Sequence, residues 1–293
     1  MKTNNPKLTI IILNHNTKDL TLNCLASIYE NKKEVPLEVI VSDNASTDGS
    51  VEAIKKKHKW VTVIEGPNIS FSNGNNRARS LTKGKYVLFL NSDTIVYKNT
   101  LKKCVEYLEK HNDVGALTCK LVLENGELDK DTRRRLPTPW MSFSRLFLNN
   151  GGVYWYKDFD ENTTHEVETI QGAFFLTRKN VLDKVNWLDE GFIFDGEDLD
   201  LSYQISKLGL KIIYYPDVKI LHLKGATKGK IKETSVKVDP KTKLNRVMQG
   251  VNSMEYFYRK NLWNRYPTIF NYFVLIGIKF LKFIRFLKFK IKN

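Results

Sequence analysis

Over the first 120 residues, short apolar runs alternate with stretches of helical spacing. The runs are Leu8–Leu13 (LTIIIL), Leu37–Ser42 (LEVIVS), Val61–Glu65 (VTVIE), Tyr86–Leu90 (YVLFL) and VGALTCKLV. Between them lie DLTLNCLASIYE, a segment near Ser50–Lys57, NGNNRARSL and TLKKCVEYLEKH, where apolar residues recur at helical intervals. Strand–helix alternation of this kind predicts an α/β fold, a mostly parallel twisted sheet with helices on both faces. Ligands of such sheets bind beyond the carboxyl ends of the strands. The loops to inspect are therefore NHNT, DNASTDG and NSDT, all rich in Asn, Asp and Ser.

The rhythm lapses between about residues 124 and 168, where DTRRRLPTPW and NNGGVYWYKDF predict long loops or short irregular elements. It returns in TIQGAFFLTRKNVLDKV, GEDLDLSYQISKLGL and KIIYYPDVKILHLKG, and the chain beyond is basic with helical spacing. This organisation divides the sequence into residues 1–229 and a basic helical C-terminal extension, 230–293.

The net charge of +15 points to acidic partners such as phosphates or anionic lipid, or else to a lysine-rich solvated surface. Three scattered cysteines, Cys24, Cys104 and Cys119, form no CxxC pair. They argue for a reducing compartment and against a cysteine zinc site. No signal peptide is read at the N-terminus, and no apolar run is long enough to span a bilayer.

Three acidic clusters carry candidate chemistry. Asp43 ends a strand, and Ser46, Thr47 or Asp48 can cap the helix that follows. Asp43 can close that turn, or accept a hydrogen bond from a base with an imide N–H, such as uracil or thymine. Asp93, in LNSDT, ends another strand on the same sheet edge, where an oxygen-rich pocket suits a hard divalent cation and substrate phosphates. In FDGEDLDL, four acids fall at a helix start. Capping and the helix dipole need one or two of them, so one is available as a general base. His222 ends a strand-like run, and a metal at Asp93 would make it a candidate ligand.

Taken in order and spacing, TIIILNHN, VSDNASTDGS, PNISFSNGNNRA, GKYVLFLNSDT and the stretch from IQGAFFL to ILHLKG resemble the family-two inverting glycosyltransferases of the GT-A fold. The similarity is greatest to the bacterial rhamnosyltransferase-like branch, and it covers about residues 8–225. The resemblance implies a nucleotide-binding half (about 1–123) and an acceptor-binding half (about 124–229). It implies that Asn14, His15, Asp43, Asn44 and Asn91 line the nucleotide-sugar pocket. Asp93, in an NxD form of the DxD motif, and His222 would hold Mn²⁺ or Mg²⁺. Asp198 would be the catalytic base, with Glu197 and Gly172 on the acceptor side. The implied donor is a dTDP-rhamnose-like or UDP-sugar, and the implied acceptor a saccharide or lipid-linked saccharide in cell-surface polysaccharide synthesis. NISFSNGNN, where many relatives have a glycine-rich turn, leaves the donor sugar open.

A nucleotidyltransferase would carry a Gly-rich phosphate loop after the first strand, where this chain has NHNT. A non-enzymatic basic membrane-binding protein would leave Asp43, Asp93 and Asp198 unexplained. Nucleic acid is not expected as a partner, because no aromatic stacking platform is evident. On a helical wheel of Lys279–Lys292, Phe280, Phe283, Ile284, Leu287 and Ile291 share one charge-free face. A basic helix of that kind suits an anionic membrane surface, which predicts a cytoplasmic enzyme attached peripherally to the inner face of the cell membrane. The competing expectation is a terminal helix packed on the catalytic domain.

Overall fold

A computed structural model describes residues 5–148, 150–224 and 240–292. The boundary expected between residues 229 and 230 lies outside the described residues. The chain opens with β1 (Leu8–Asn14), α1 (Lys18–Asn31), β2 (Leu37–Asn44), α2 (Ser50–Lys57), β3 (Thr62–Gly66) and α3 (Phe71–Asn76). It continues through β4 (Tyr86–Asn91), β5 (Thr94–Val96), α4 (Thr100–Lys110) and β6 (Val114–Val122). The middle stretch holds the short pieces β7 (Arg133–Arg134), α5 (Pro139–Phe147), α6 (Gly151–Tyr154), β8 (His165–Glu166) and β9 (Thr169–Ile170). Then come β10 (Phe174–Arg178), α7 (Lys179–Val185), α8 (Glu197–Lys207), β11 (Lys211–His222), α9 (Pro240–Phe257) and α10 (Thr268–Lys292).

The main sheet runs β3-β2-β1-β4-β10-β6-β11-β5, with β8 added to β11. Strands β3, β2, β1 and β4 are mutually parallel, and β6 is parallel to β11. Strand β10 is inserted antiparallel between β4 and β6. The sheet is thus the mostly parallel one expected.

β4 explains why the sheet has two covered faces. Tyr86, Leu88 and Leu90 join one buried cluster, with Leu25 and Ile28 of α1 and Cys104 and Leu108 of α4. Val87 and Phe89 join a second, with Leu182 of α7 and Leu201 and Ile205 of α8. Alternate side chains therefore meet different helix layers, which is why the strand reads as a continuous apolar run.

A third cluster packs Phe192 and Tyr203 against Phe257, Tyr258, Leu262 and Leu275. It seats the described part of the C-terminal extension on α8. Lys260 adds ion pairs to Asp189 at 2.6 Å and Asp200 at 2.7 Å. Packing on the catalytic part, weighed as an alternative to membrane attachment, is therefore present for one face of the extension. The opposite face of α10 stays open, with Phe273, Ile276, Phe280, Phe283 and Ile291 exposed. Ile284, expected on the apolar stripe, is half-buried.

One boundary differs from expectation. The helix expected over NGNNRARSL starts earlier, at Phe71, because Ser70 caps it by accepting from the Asn73 N–H at 3.0 Å.

Candidate active site

The carboxyl ends of β1, β2 and β4 lie side by side: Asn14 pairs with Asp43 across β1–β2, and Leu13 with Asn91 across β1–β4. Sequence-distant polar loops meet at this edge because the parallel register brings them level.

Asn14 is wholly buried, and its amide is engaged on both sides. Its Nδ2 donates to Asp43 Oδ2 (2.6 Å) and Ser46 Oγ (3.0 Å). Its Oδ1 accepts from Thr17 Oγ1 (2.7 Å) and Thr21 Oγ1 (2.6 Å). Asn14 is a bracket for Asp43 rather than an open pocket wall. Asp43 also accepts from the Ser46 N–H (2.8 Å), closing the turn. The N-cap of α2 is Gly49, in a left-handed conformation, and not Ser46, Thr47 or Asp48 as expected; Asp48, one residue earlier, accepts from the Ser50 N–H (3.0 Å).

His15 is exposed, and its ring is fixed at both nitrogens. Nδ1 lies 2.6 Å from the Asn44 carbonyl, which can only accept, so Nδ1 carries the proton and Nε2 accepts from Asn68 Nδ2 at 3.2 Å. Asn44 is buried, and its Oδ1 accepts from Arg77 Nη2 at 3.1 Å. Arg77 also donates to the Asp43 and Pro67 carbonyls at 2.9 and 3.0 Å. Its guanidinium lies over Gly66, where an added Cβ would come within 2.4 Å of it. Arg77 thereby ties the ends of β2 and β3 together.

Asn91 is half-buried, and its N–H donates to the Ala173 carbonyl at 3.1 Å. Asp93 is buried, and its carbonyl accepts from the Leu223 N–H at 2.8 Å. The antiparallel pairing of β5 with β11 sets His222 opposite Thr94. The result is His222 Nε2 at 3.5 Å from Asp93 Oδ1. The other ring nitrogen, Nδ1, lies 2.9 Å from Asp129 Oδ2. Asp129 is also paired with Lys224, which reaches Asp131 at 2.5 Å. Burial pulls the His222 pKa down, but the Asp129 hydrogen bond and Asp93 outweigh it and hold it up to about 9. Burial pushes Asp129 up, but His222 and Lys224 prevail and hold its carboxyl down to about 2.

This pair fits a hard divalent cation. It offers one carboxylate and one imidazole, and the imidazole's far nitrogen is oriented by a second carboxylate, a common arrangement around metal-bound histidine. Among the described residues no group of three His, Cys, Asp or Glu side chains could hold a metal ion. Other ligands would therefore come from water and substrate phosphates, as suits Mg²⁺-type sites.

At the start of α8 the acids have separate uses. Asp198 Oδ2 accepts from Arg134 Nη2 (2.7 Å) and the Gly172 N–H (3.1 Å), and Oδ1 from the Leu199 N–H (2.7 Å). Asp200 docks the C-terminal extension through Lys260 and Asn261. Glu197 is buried, and its Oε2 has no hydrogen-bond partner among the described residues. Burial, then the charges of Asp198 and Asp195, push its pKa well above the usual carboxylate range. Gly172 thus acts through its N–H on Asp198.

Asp129, Arg134 and Arg77 carry no motif in the sequence that marks them as site residues. Arg134 had one available signal: three consecutive arginines in a long loop, upstream of an acid-rich helix start.

The sequence model of "Glycosyl transferase family 2" matches residues 9–185. The chain is similar to the rhamnosyltransferase WbbL of Escherichia coli (strain K12), at 25% identity over 222 residues, covering 73% of this chain and 82% of that one. It is also similar to an N-acetylglucosaminyl-diphospho-decaprenol L-rhamnosyltransferase of Mycobacterium tuberculosis (strain CDC 1551 / Oshkosh). There the identity is 22% over 218 residues, covering 67% of this chain and 70% of that one. In structure it resembles the mannosyltransferase PcManGT from Pyrobaculum calidifontis in complex with GDP-Man and Mn²⁺. The TM-score is 0.59 at 20% identity, covering 88% of this chain and 65% of that one, just under two thirds of its length. At that identity the likeness concerns the fold, and it bears out the expected GT-A architecture. The chain belongs to glycosyl transferase family 2 and is a glycosyltransferase.

Proposed function

We propose that the chain is an inverting enzyme that moves a sugar from a nucleoside-diphosphate sugar, of the dTDP-rhamnose-like or UDP-sugar class, to a lipid-linked saccharide of a cell-surface polysaccharide. One connection carries this reading. Gly172 and Ala173 are consecutive: the first holds Asp198 by its N–H, and the second accepts from the Asn91 N–H of the NSD loop. The donor-phosphate loop and the carboxylate beside the acceptor are thereby held by one short piece of backbone. Family membership removes the nucleotidyltransferase and non-enzymatic readings.

In this reading Asp43, braced by Asn14, and the loop of His15 and Asn44 receive the nucleotide. Asp93 and His222 hold Mn²⁺ or Mg²⁺, which when bound offsets charge on the diphosphate. Asp198, held by Arg134 and the Gly172 N–H, takes the proton of the acceptor hydroxyl, a contribution of about 10²–10⁴-fold for general bases. The acceptor oxygen bonds to the anomeric carbon as the bond to the donor phosphate breaks on the opposite face, giving inversion. Glu197 and Gly172 lie on the acceptor side.

Among the described residues no helix is long and apolar enough to cross a membrane. The exposed stripe Ile269, Phe273, Ile276, Phe280, Phe283, Leu287 and Ile291 follows helical spacing along α10 and is flanked by Lys279, Lys288 and Lys290. In our reading it lies on the anionic cytoplasmic face of the cell membrane, where each basic residue adds roughly 1 kcal/mol. The test of the activity is release of nucleoside diphosphate from a panel of nucleotide-sugars. We expect it to depend on added Mn²⁺ or Mg²⁺, and full activity in excess chelator would overturn the metal assignment.

A further inference from the structure

A cavity of about 770 Å³ runs from the Asp198 region into the C-terminal helices. Arg134, Glu197 and Asp198 line it, and so do Phe143, Met254, Phe257, Val274, Ile278 and Leu281. The polar wall is incompletely bonded. Arg134 Nε, Gln171 Oε1 and Glu197 Oε2 are buried and have no hydrogen-bond partner among the described residues. Buried polar groups are seldom left unbonded, so a ligand with hydroxyls at that wall is the natural complement.

The apolar wall carries two arginines, Arg145 of α5 and Arg285 of α10. Among the described residues neither forms an ion pair. Arg145 packs on the Tyr154 ring, 4.3 Å from its centroid. The Arg285 pKa lies below the usual guanidinium value, through burial first and the charge of Arg145 second. Two arginines that line one cavity, with no ion pair among the described residues, call for an anion in it. The cavity borders two exposed aromatic surfaces, Trp140 and Phe147 on α5 and Phe270 and Phe273 on α10.

We propose that this groove seats a lipid with an apolar chain and a phosphate ester: Arg145 and Arg285 clamp the phosphate, the chain lies between α5 and the α9–α10 pair, and the attached saccharide reaches Asp198. The proposal rests on the acceptor reading given above and names the part of the molecule that recognises it. Apolar lining alone would accept any hydrophobic chain. The arginine pair selects a phosphate-bearing one, and the open polar atoms at Arg134, Gln171 and Glu197 supply the saccharide end.

The test is calorimetric titration of the full chain with farnesyl diphosphate, farnesol and inorganic diphosphate, in chelator so that no cation recruits phosphate to Asp93 and His222. Farnesyl diphosphate should bind at least about tenfold more tightly than either fragment. Arg145→Ala and Arg285→Ala should each weaken it by about tenfold, and Arg285→Lys should recover most of that loss. Val274→Trp, which fills the groove, should weaken farnesyl diphosphate and farnesol together. Equal affinity for farnesol and farnesyl diphosphate, equal affinity for inorganic diphosphate, or no response to the arginine variants would overturn the proposal. Nucleotide-sugar binding with Mn²⁺, titrated in parallel, separates the two readings: its loss removes the donor assignment, whereas its retention without farnesyl diphosphate binding removes the groove alone.

Discussion

Arg134 Nη2 lies 2.7 Å from Asp198 Oδ2, and each side chain is 12% exposed. The two are brought together by the short β7–β9 pairing, which sets Arg134 opposite Thr169, and by Gly172 just beyond it. Removing one partner of a buried pair leaves the other charge uncompensated, at a cost of about 3–5 kcal/mol. Arg134→Met should therefore lower stability by about 3 kcal/mol in urea unfolding and abolish transfer. A loss under about 0.5 kcal/mol, the scale of an ordinary surface substitution, would mean the pair is not built as described.

His222 should depend on Asp129 for its orientation. Asp129→Asn keeps the shape but weakens the hold on Nδ1, and loss of such a partner typically lowers metal affinity about 10–100-fold. Asp93→Ala should remove metal-dependent donor binding altogether. Mn²⁺ titration followed by electron paramagnetic resonance checks both. Unchanged Mn²⁺ affinity in Asp129→Asn would contradict the orienting role.

Glu197 gives a pH signature. Its folded-state pKa is raised, so the folded state keeps a proton that the unfolded chain has lost. The protein then loses stability as pH rises from the unfolded carboxyl value toward the folded one. Glu197→Gln, which cannot ionise, should melt higher than the parent at pH 8, and this advantage should shrink toward pH 5. A difference independent of pH would show that Glu197 is ionised in both states.

Membrane attachment through α10 should be salt-sensitive, because lysine attraction is screened while apolar insertion is not. Full-length protein should float with anionic liposomes at low salt and less at high salt. Phe280→Glu with Phe283→Glu should abolish flotation, since both side chains are more than half exposed and face away from the packed side of the helix. Equal flotation of parent and variant would assign the attachment elsewhere.

Much of this site is legible in the sequence, because the sheet converts sequence order into position. Asp43 and Asp93 fall at strand ends that the apolar runs already locate. His222 marks the end of β11 for the same reason. Arg134, Asp129 and Arg77 were not legible. Their roles depend on loops folding back across 64 residues to Asp198, 93 to His222 and 33 to Asn44. No local periodicity encodes such contacts. Asn14 shows the converse: its place at the site could be read, but its saturated bonding could not. On α10 the spacing gave the apolar stripe but not its extent. The stripe begins at Ile269, and Ile284 turns partly inward because Leu281 beside it is buried at the groove.

In the proposed mechanism Asp198 is the general base of the transfer. Asp198→Asn keeps the side chain's size and can still accept from the Gly172 N–H, while removing the basic oxygen. The measurement is transfer rate beside donor affinity, on one purified preparation with Mn²⁺. Transfer should fall by about 10²-fold or more with donor affinity nearly unchanged. Transfer within a few-fold of the parent would contradict it.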